Sequence, residues 1–322
     1  ENLALTKVGE VFAVPGVSAS AAPFYSNASS AYANIINLKN TNKGYSYALS
    51  AQLEKYFDFG LDVAASYTYG RSRSVNDGTS SVAYSNWKYN YSRDTNGPGE
   101  MGYSKFDIPH RVMVRLNYNS PKYCQGWLST SVGIVYTGTS GGRYSLTMNE
   151  KDDFNGDGWR GNNLLYIPTK DELSKMNFIA STDKKGNVTT ADQARQLFED
   201  WIQGNSYART HRGQYAERNS CMTDWENNID LHFGQSIHLK NLVRLEFTLD
   251  VINFTNMLNK RWGTTYGNAY NVSPIMVNKI VKTGAAGNIV AEPSYTYNPN
   301  ANPTPSDIAS RWHMQLGFRI AF

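Results

Sequence analysis

Apolar residues recur at every second position in seven stretches of the chain. In Tyr45–Phe57, Tyr45, Tyr47, Leu49, Ala51 and Leu53 alternate with Ser46, Ala48, Ser50, Gln52 and Glu54. The same period runs through Phe59–Arg71, His110–Asn119, Gly126–Gly138, Asp224–Ile237, Leu242–Phe254 and the closing Arg311–Phe322. Successive side chains of an extended chain point to opposite faces. Each stretch therefore predicts a strand with one apolar face and one polar, charged or very small face.

The connections alternate in length. Almost nothing separates the first two strands around Asp58, and Ser120–Gln125 and His238–Asn241 are short; Ser72–Ser104, Thr139–Thr223 and Thr255–Ser310 are long. Tight turns at one end and long loops at the other are the pattern of a membrane barrel with periplasmic turns and external loops. A soluble sandwich would bury the apolar face as its core, but the charges and glycines on the polar face suit a wet lumen better. If the last strand ends at the periplasmic side, the directions of the others follow by alternation. Leu3–Val8 then reads as the tip of one further outward strand, and the strands as the last part of a larger wall.

Composition agrees with this picture. No run of about 18 apolar residues occurs, which excludes membrane helices but not membrane strands, which need only about 9–11 residues of alternating polarity. Mean hydropathy is −0.51. Aromatics make up 13%, with 22 Tyr and 7 Trp, as girdles at two membrane interfaces require. The net charge of +4 is spread along the chain, and no basic run interleaved with aromatics points to nucleic acid.

The long loop 139–223 carries its own signals. Thr169 with Glu172, and Thr190 with Gln193, are capping-box patterns that predict helices near Lys170–Met176 and Ala191–Gln203. In the second, Ala194, Leu197, Phe198, Trp201 and Ile202 share a face, and Gly204 stops the helix. That stripe predicts a structured lid packed on neighbouring loops. Within Lys151–Gly158, the residues Asp153, Asn155 and Asp157 match the opening of a calcium loop. Leu164 stands where the bidentate Glu would be, so a helix–loop–helix site is excluded. The choice lies between calcium and an Asx- and glycine-rich turn without metal.

Nothing suggests an enzyme. His110, His211, His232, His238 and His313 have no triad or ligand spacing. Arg111, Arg115, Asp230, His232, Arg244, Glu246 and Asp250 read as lumen wall. Cys124 is placed in a short turn and Cys221 at the opposite end of the strands, too far apart for a disulfide.

Several segments also resemble a known family. NTNKGYSYALSAQLEKYF (Asn40–Phe57), SYTYGRS (Ser66–Ser72), SKFDIPHRVMVRLNY (Ser104–Tyr118), NGDGWRGNNLLYIPTKDEL (Asn155–Leu173) and LDVINFTNMLNKRWG (Leu249–Gly263) resemble the C-terminal barrel region of TonB-dependent outer-membrane transporters, nearest to the Oar-like group of Bacteroidota. Asp107–Arg111 and Asn253–Asn256 are the more specific matches. The resemblance implies an all-β fold in which residues 1–322 form the C-terminal part of a transmembrane antiparallel barrel. It would supply about seven or eight of about 22 strands, with the remainder of the barrel, a plug and a TonB box outside this chain. It further implies a Gram-negative outer membrane, outer-membrane lipid as surroundings and energised uptake through the TonB complex. By the same resemblance, Phe322, with Phe318 and Ile320, is the signal read by the barrel-assembly machinery. The expectation is a fragment whose C-terminus is the natural one. The alternatives are an outer-membrane binding or adhesion protein without transport, and a passive small porin.

Overall fold

The computed structural model describes residues 1–28, 31–239, 242–267 and 271–322. Its principal strands are β1 (Leu5–Phe12), β2 (Ala21–Asn27), β3 (Tyr45–Tyr56), β4 (Leu61–Ser74), β5 (His110–Asn119), β6 (Leu128–Thr139), β7 (Glu226–Leu239), β8 (Val243–Ile252), β9 (Ile275–Thr283), β10 (Ile289–Tyr297) and β11 (His313–Ala321). Three of its helices are α1 (Ala83–Lys88), α2 (Lys170–Lys175) and α3 (Ala191–Gly204).

β3, β4, β5, β6, β7, β8 and β11 are the seven expected strands. They form one antiparallel meander in chain order, with the short strand Gly102–Tyr103 added beside β4. Register keeps the two faces apart across this wall. Val63, Leu116, Ile134, Leu231, Val251 and Met314 lie side by side in one row. The next row, on the other face, is Asp62, Asn117, Gly133, His232, Asp250 and Gln315. A slip of one residue in any strand would reverse its faces.

Among the described residues most of the apolar face is exposed, with Val251 near its long-loop end an exception. Leu53 and Leu316 are each 79% exposed, and Leu49, Phe247 and Phe318 are also open. The outer edges of β3 and β11 have no strand beside them among the described residues. An apolar face of this extent in water costs free energy that hydrocarbon contact removes. Phe57, Phe59, Tyr123 and Trp127 are exposed towards the short-turn end, and Trp225, Trp262 and Trp312 towards the long-loop end, as interfacial girdles would be. Residues 240 and 241 of the turn joining β7 to β8 lie outside the described residues, although Leu239 pairs with Val243 across it.

The core lies elsewhere. Phe24, Leu146, Phe154, Tyr166, Phe198, Ile275 and Tyr295 are all buried in one cluster drawn from the N-terminal segment and the long loops. These segments fold into a head at the long-loop end of the wall. Both capping boxes form, Thr169 with Glu172 before α2 and Thr190 with Gln193 before α3. Ala194, Phe198, Trp201 and Ile202 pack into the head core, while Leu197 stays exposed.

Two expectations need correction. Leu3–Val8 does not extend the wall: β1 belongs to the five-stranded head sheet, between β2 and β10. Its parallel pairing with β10 needs Gly9, where a β-carbon would overlap the backbone of Ile289, and Val11 beyond it is fully buried. The stretch Thr255–Ser310 is not only loop, since β9 and β10 form a hairpin within it. A bulge between Val277 and Lys279 breaks the two-residue period that would have revealed β9.

Candidate functional site at the seam between head and wall

Asp107, just before β5, has a fully buried side chain. Its Oδ1 accepts from the backbone N–H of Ser72 at 2.6 Å. Its Oδ2 accepts from Arg143 Nε at 2.8 Å and Nη2 at 2.6 Å, with Arg71 3.5 Å away. Arg143 also stacks over the Tyr103 ring, 3.9 Å from its centroid. Backbone and side-chain bonds extend the joint: Gly70 N–H donates to the Pro109 carbonyl, and His110 N–H donates to Ser140 Oγ. The Asp107–Arg111 motif therefore ties the tops of β4, β5 and β6 to the head.

Asn253 makes the second joint. It sits at the end of β8 with φ +54, a left-handed conformation that Asn tolerates better than most side chains. Its backbone N–H donates to Asp230 Oδ1 at 2.8 Å. Its Nδ2 donates to the carbonyls of Gly263 at 2.7 Å and Ser310 at 2.8 Å. Asn253 thus turns the wall into the last long loop and binds that loop's far end back onto it.

Beside the first joint lies a cavity of about 400 Å3 between the loop after β4 and the head segments around Arg143 and Arg218. Arg218 donates to the carbonyls of Ser74 and Val75 and to Asn90 Oδ1. Nothing in the spacing of Arg143, Arg218 or Asn219 marks them in the sequence as seam residues. Their partners lie far away along the chain.

Asp153, Asn155 and Asp157 do come together, in a buried turn of the head. Asp153 accepts from the N–H groups of Gly156 at 2.9 Å and Gly158 at 2.7 Å. Asp157 accepts from Trp159 N–H at 2.7 Å and from the amides of Asn155 at 3.2 Å and Asn162 at 3.0 Å. Glu150 beside them accepts from Asn163 Nδ2 at 3.0 Å and Phe154 N–H at 3.2 Å. Burial pushes the Glu150 carboxyl up to about 8 and that of Asp153 up to about 6, and it raises Asp157 as well. Among the described residues no group of three or more His, Cys, Asp or Glu is disposed around a common point for a metal. Calcium at this turn is a proposal that requires the ion to displace the amide donors on Asp157.

The remaining expected residues are spread along the wall. His232 Nδ1 is 2.6 Å from Asp250 Oδ1, and Arg115 is 3.1 Å from Asp62. Phe318 and Ile320 stand exposed on β11 and Phe322 just beyond its end, with the Phe318 ring 4.8 Å from that of Phe247. Cys124, exposed, and Cys221, buried, are both free thiols.

Comparison with known families supplies the deciding observation: the model of the outer membrane beta barrel domain matches residues 4–309. The chain belongs to the outer membrane beta barrel domain family. In that family an uncovered apolar wall has its natural place against outer-membrane lipid, and the head stands at the end with the long loops. No curated protein and no solved structure matches the chain.

Proposed function

We propose that this outer membrane beta barrel domain is part of the barrel of a TonB-dependent transporter in a Gram-negative outer membrane. The observation that carries the reading is the seven-strand meander with one apolar, uncovered face and a compact head at its long-loop end. Membrane-spanning backbone needs every polar group paired, so the free edges of β3 and β11 call for further barrel strands as partners. Uptake energised by the TonB complex through a plug, and insertion by the barrel-assembly machinery reading Phe318, Ile320 and Phe322, come from the family resemblance. On this reading the head receives the ligand, and the protein is not an enzyme.

A comparison of strains lacking this gene or TonB, grown on defined nutrient sources, tests the proposal. A growth or uptake defect shared by both deletions is expected. Uptake through this protein that persists without TonB overturns it. The head's self-contained core favours a second reading, surface binding without transport, which predicts ligand capture by cells and no uptake defect.

A further inference from the structure

The loop that follows β8 is built inside out. Between Asn253 and Gly263 its amide side chains turn inwards. Asn253 Nδ2 closes the base on the Gly263 carbonyl at 2.7 Å. Asn256 Nδ2 spans the interior to the carbonyls of Trp262 at 2.9 Å and Lys260 at 3.3 Å. The N–H of Asn259 donates to the Thr255 carbonyl at 3.0 Å, and that of Trp262 to the Asn259 carbonyl at 2.8 Å. What the loop leaves outside is apolar or cationic. Leu258 is 60% exposed, Trp262 54% and Met257 37%, and Lys260 and Arg261 between them are exposed as well. Neither cation makes an ion pair or a side-chain hydrogen bond among the described residues.

In water this arrangement is costly, because exposed Leu and Trp gain from burial. At a membrane interface each part has a use. Carbonyls and N–H groups paired within the loop tolerate the loss of water. Tryptophan settles at the level of the headgroups, and unpaired cations attract anionic lipid.

The wall sets the depth of the loop. Ile252 pairs with His313, so Asn253 stands level with Trp312, itself exposed at the long-loop end. The loop therefore starts at the rim of the apolar face that the wall presents to lipid. A soluble partner on the loop would leave the adjoining wall uncovered, whereas lipid covers both.

We propose that this loop is a membrane foot: Met257, Leu258 and Trp262 enter the outer leaflet, and Lys260 and Arg261 hold the phosphate of an anionic lipid headgroup. The inference needs the membrane wall but neither TonB nor transport, so it fails or stands separately from the proposed function.

The test uses the full chain purified in detergent. Native mass spectrometry reads how much phosphatidylglycerol and how much zwitterionic phosphatidylcholine the protein retains from mixed micelles. Phosphatidylglycerol is expected to be retained at least about fivefold better, the factor that one basic residue at an anionic surface supplies. Lys260→Gln combined with Arg261→Gln should remove most of that preference and leave the unfolding midpoint unchanged, since both side chains are exposed and unpaired. Depth is read by a spin label on Leu258→Cys in vesicles of the same two lipids. Cys124→Ser removes the exposed thiol, and Cys221 is buried. The label should meet dissolved oxygen more readily than a water-soluble nickel chelate, the reverse of a label on Lys184→Cys in an exposed turn of the head. Equal retention of the two lipids, a preference that survives the double variant, or a label at position 258 as open to nickel as that at 184 overturns the foot.

Discussion

Arg143 donates twice to one oxygen of Asp107, from Nη2 at 2.6 Å and Nε at 2.8 Å, although β5 and β6 separate the two residues in the chain. Removing one partner leaves the other as a buried unpaired charge, which typically costs about 3–5 kcal/mol. Asp107→Ala should destabilise the head by that order. The double variant Asp107→Ala with Arg143→Met should be less destabilised than Asp107→Ala alone. Denaturant unfolding followed by tryptophan fluorescence checks this, and additive losses would count against the pair.

At Asn253 the conformation and the hydrogen bonds separate by substitution. Asn253→Gly keeps the left-handed backbone and loses the two side-chain bonds to Gly263 and Ser310. Asn253→Ala loses both the bonds and the conformation. Alanine should therefore cost about 1 kcal/mol more than glycine. Comparing the unfolding midpoints of the two variants decides the point.

The buried acids of the head make its stability depend on pH. Carboxyls in an unfolded chain titrate near 4, and Glu150 and Asp153 titrate at about 8 and about 6 in the fold. Between these values the folded head holds more protons than the unfolded chain, so stability falls as pH rises from about 4.5 to about 8. Glu150→Gln should flatten much of the slope. Unfolding midpoints at pH 5 and pH 8 measure it; a head more stable at pH 8 would contradict the assignment.

Calcium must compete with amide and backbone donors for Asp153 and Asp157. We expect millimolar calcium to shift the thermal midpoint of the head by less than about 2 °C, because tight binding would add stability through mass action. A larger upward shift, lost in Asp157→Asn, would establish the ion.

On the wall, Leu316 and Gln315 are neighbours in sequence on opposite faces. Leu316→Arg should weaken folding into lipid vesicles by about 2–4 kcal/mol. Gln315→Arg, on the polar face, should cost much less. Equal penalties would mean that the faces have been assigned the wrong way round.

The wall was legible in the sequence because its rule is local. A period of two around Leu49, Leu116 or Phe247 needs no knowledge of the rest of the chain. Both helices of the long loop were legible for the same reason, through Thr169 with Glu172 and Thr190 with Gln193. The head sheet was not. A bulge after Val277 and Pro293 within β10 disturb its pattern, and β1 takes its place in the head sheet between β2 and β10, the second of them far away along the chain. The seam was half legible: Asp107 and Asn253 stood in motifs, but their partners Arg143, Gly263 and Ser310 are fixed by folding and by no spacing rule.

The parallel pairing of β1 with β10 has a mechanical consequence. β1 precedes β3 and β10 precedes β11, and β3 and β11 are the two opposite margins of the wall. Joining what comes before each margin stretches a tie across the arc of strands, as a bowstring joins the tips of a bow. The span of that tie limits how far the two margins can open, so the curvature of the membrane wall is held in part by a hydrogen-bonded sheet outside the membrane.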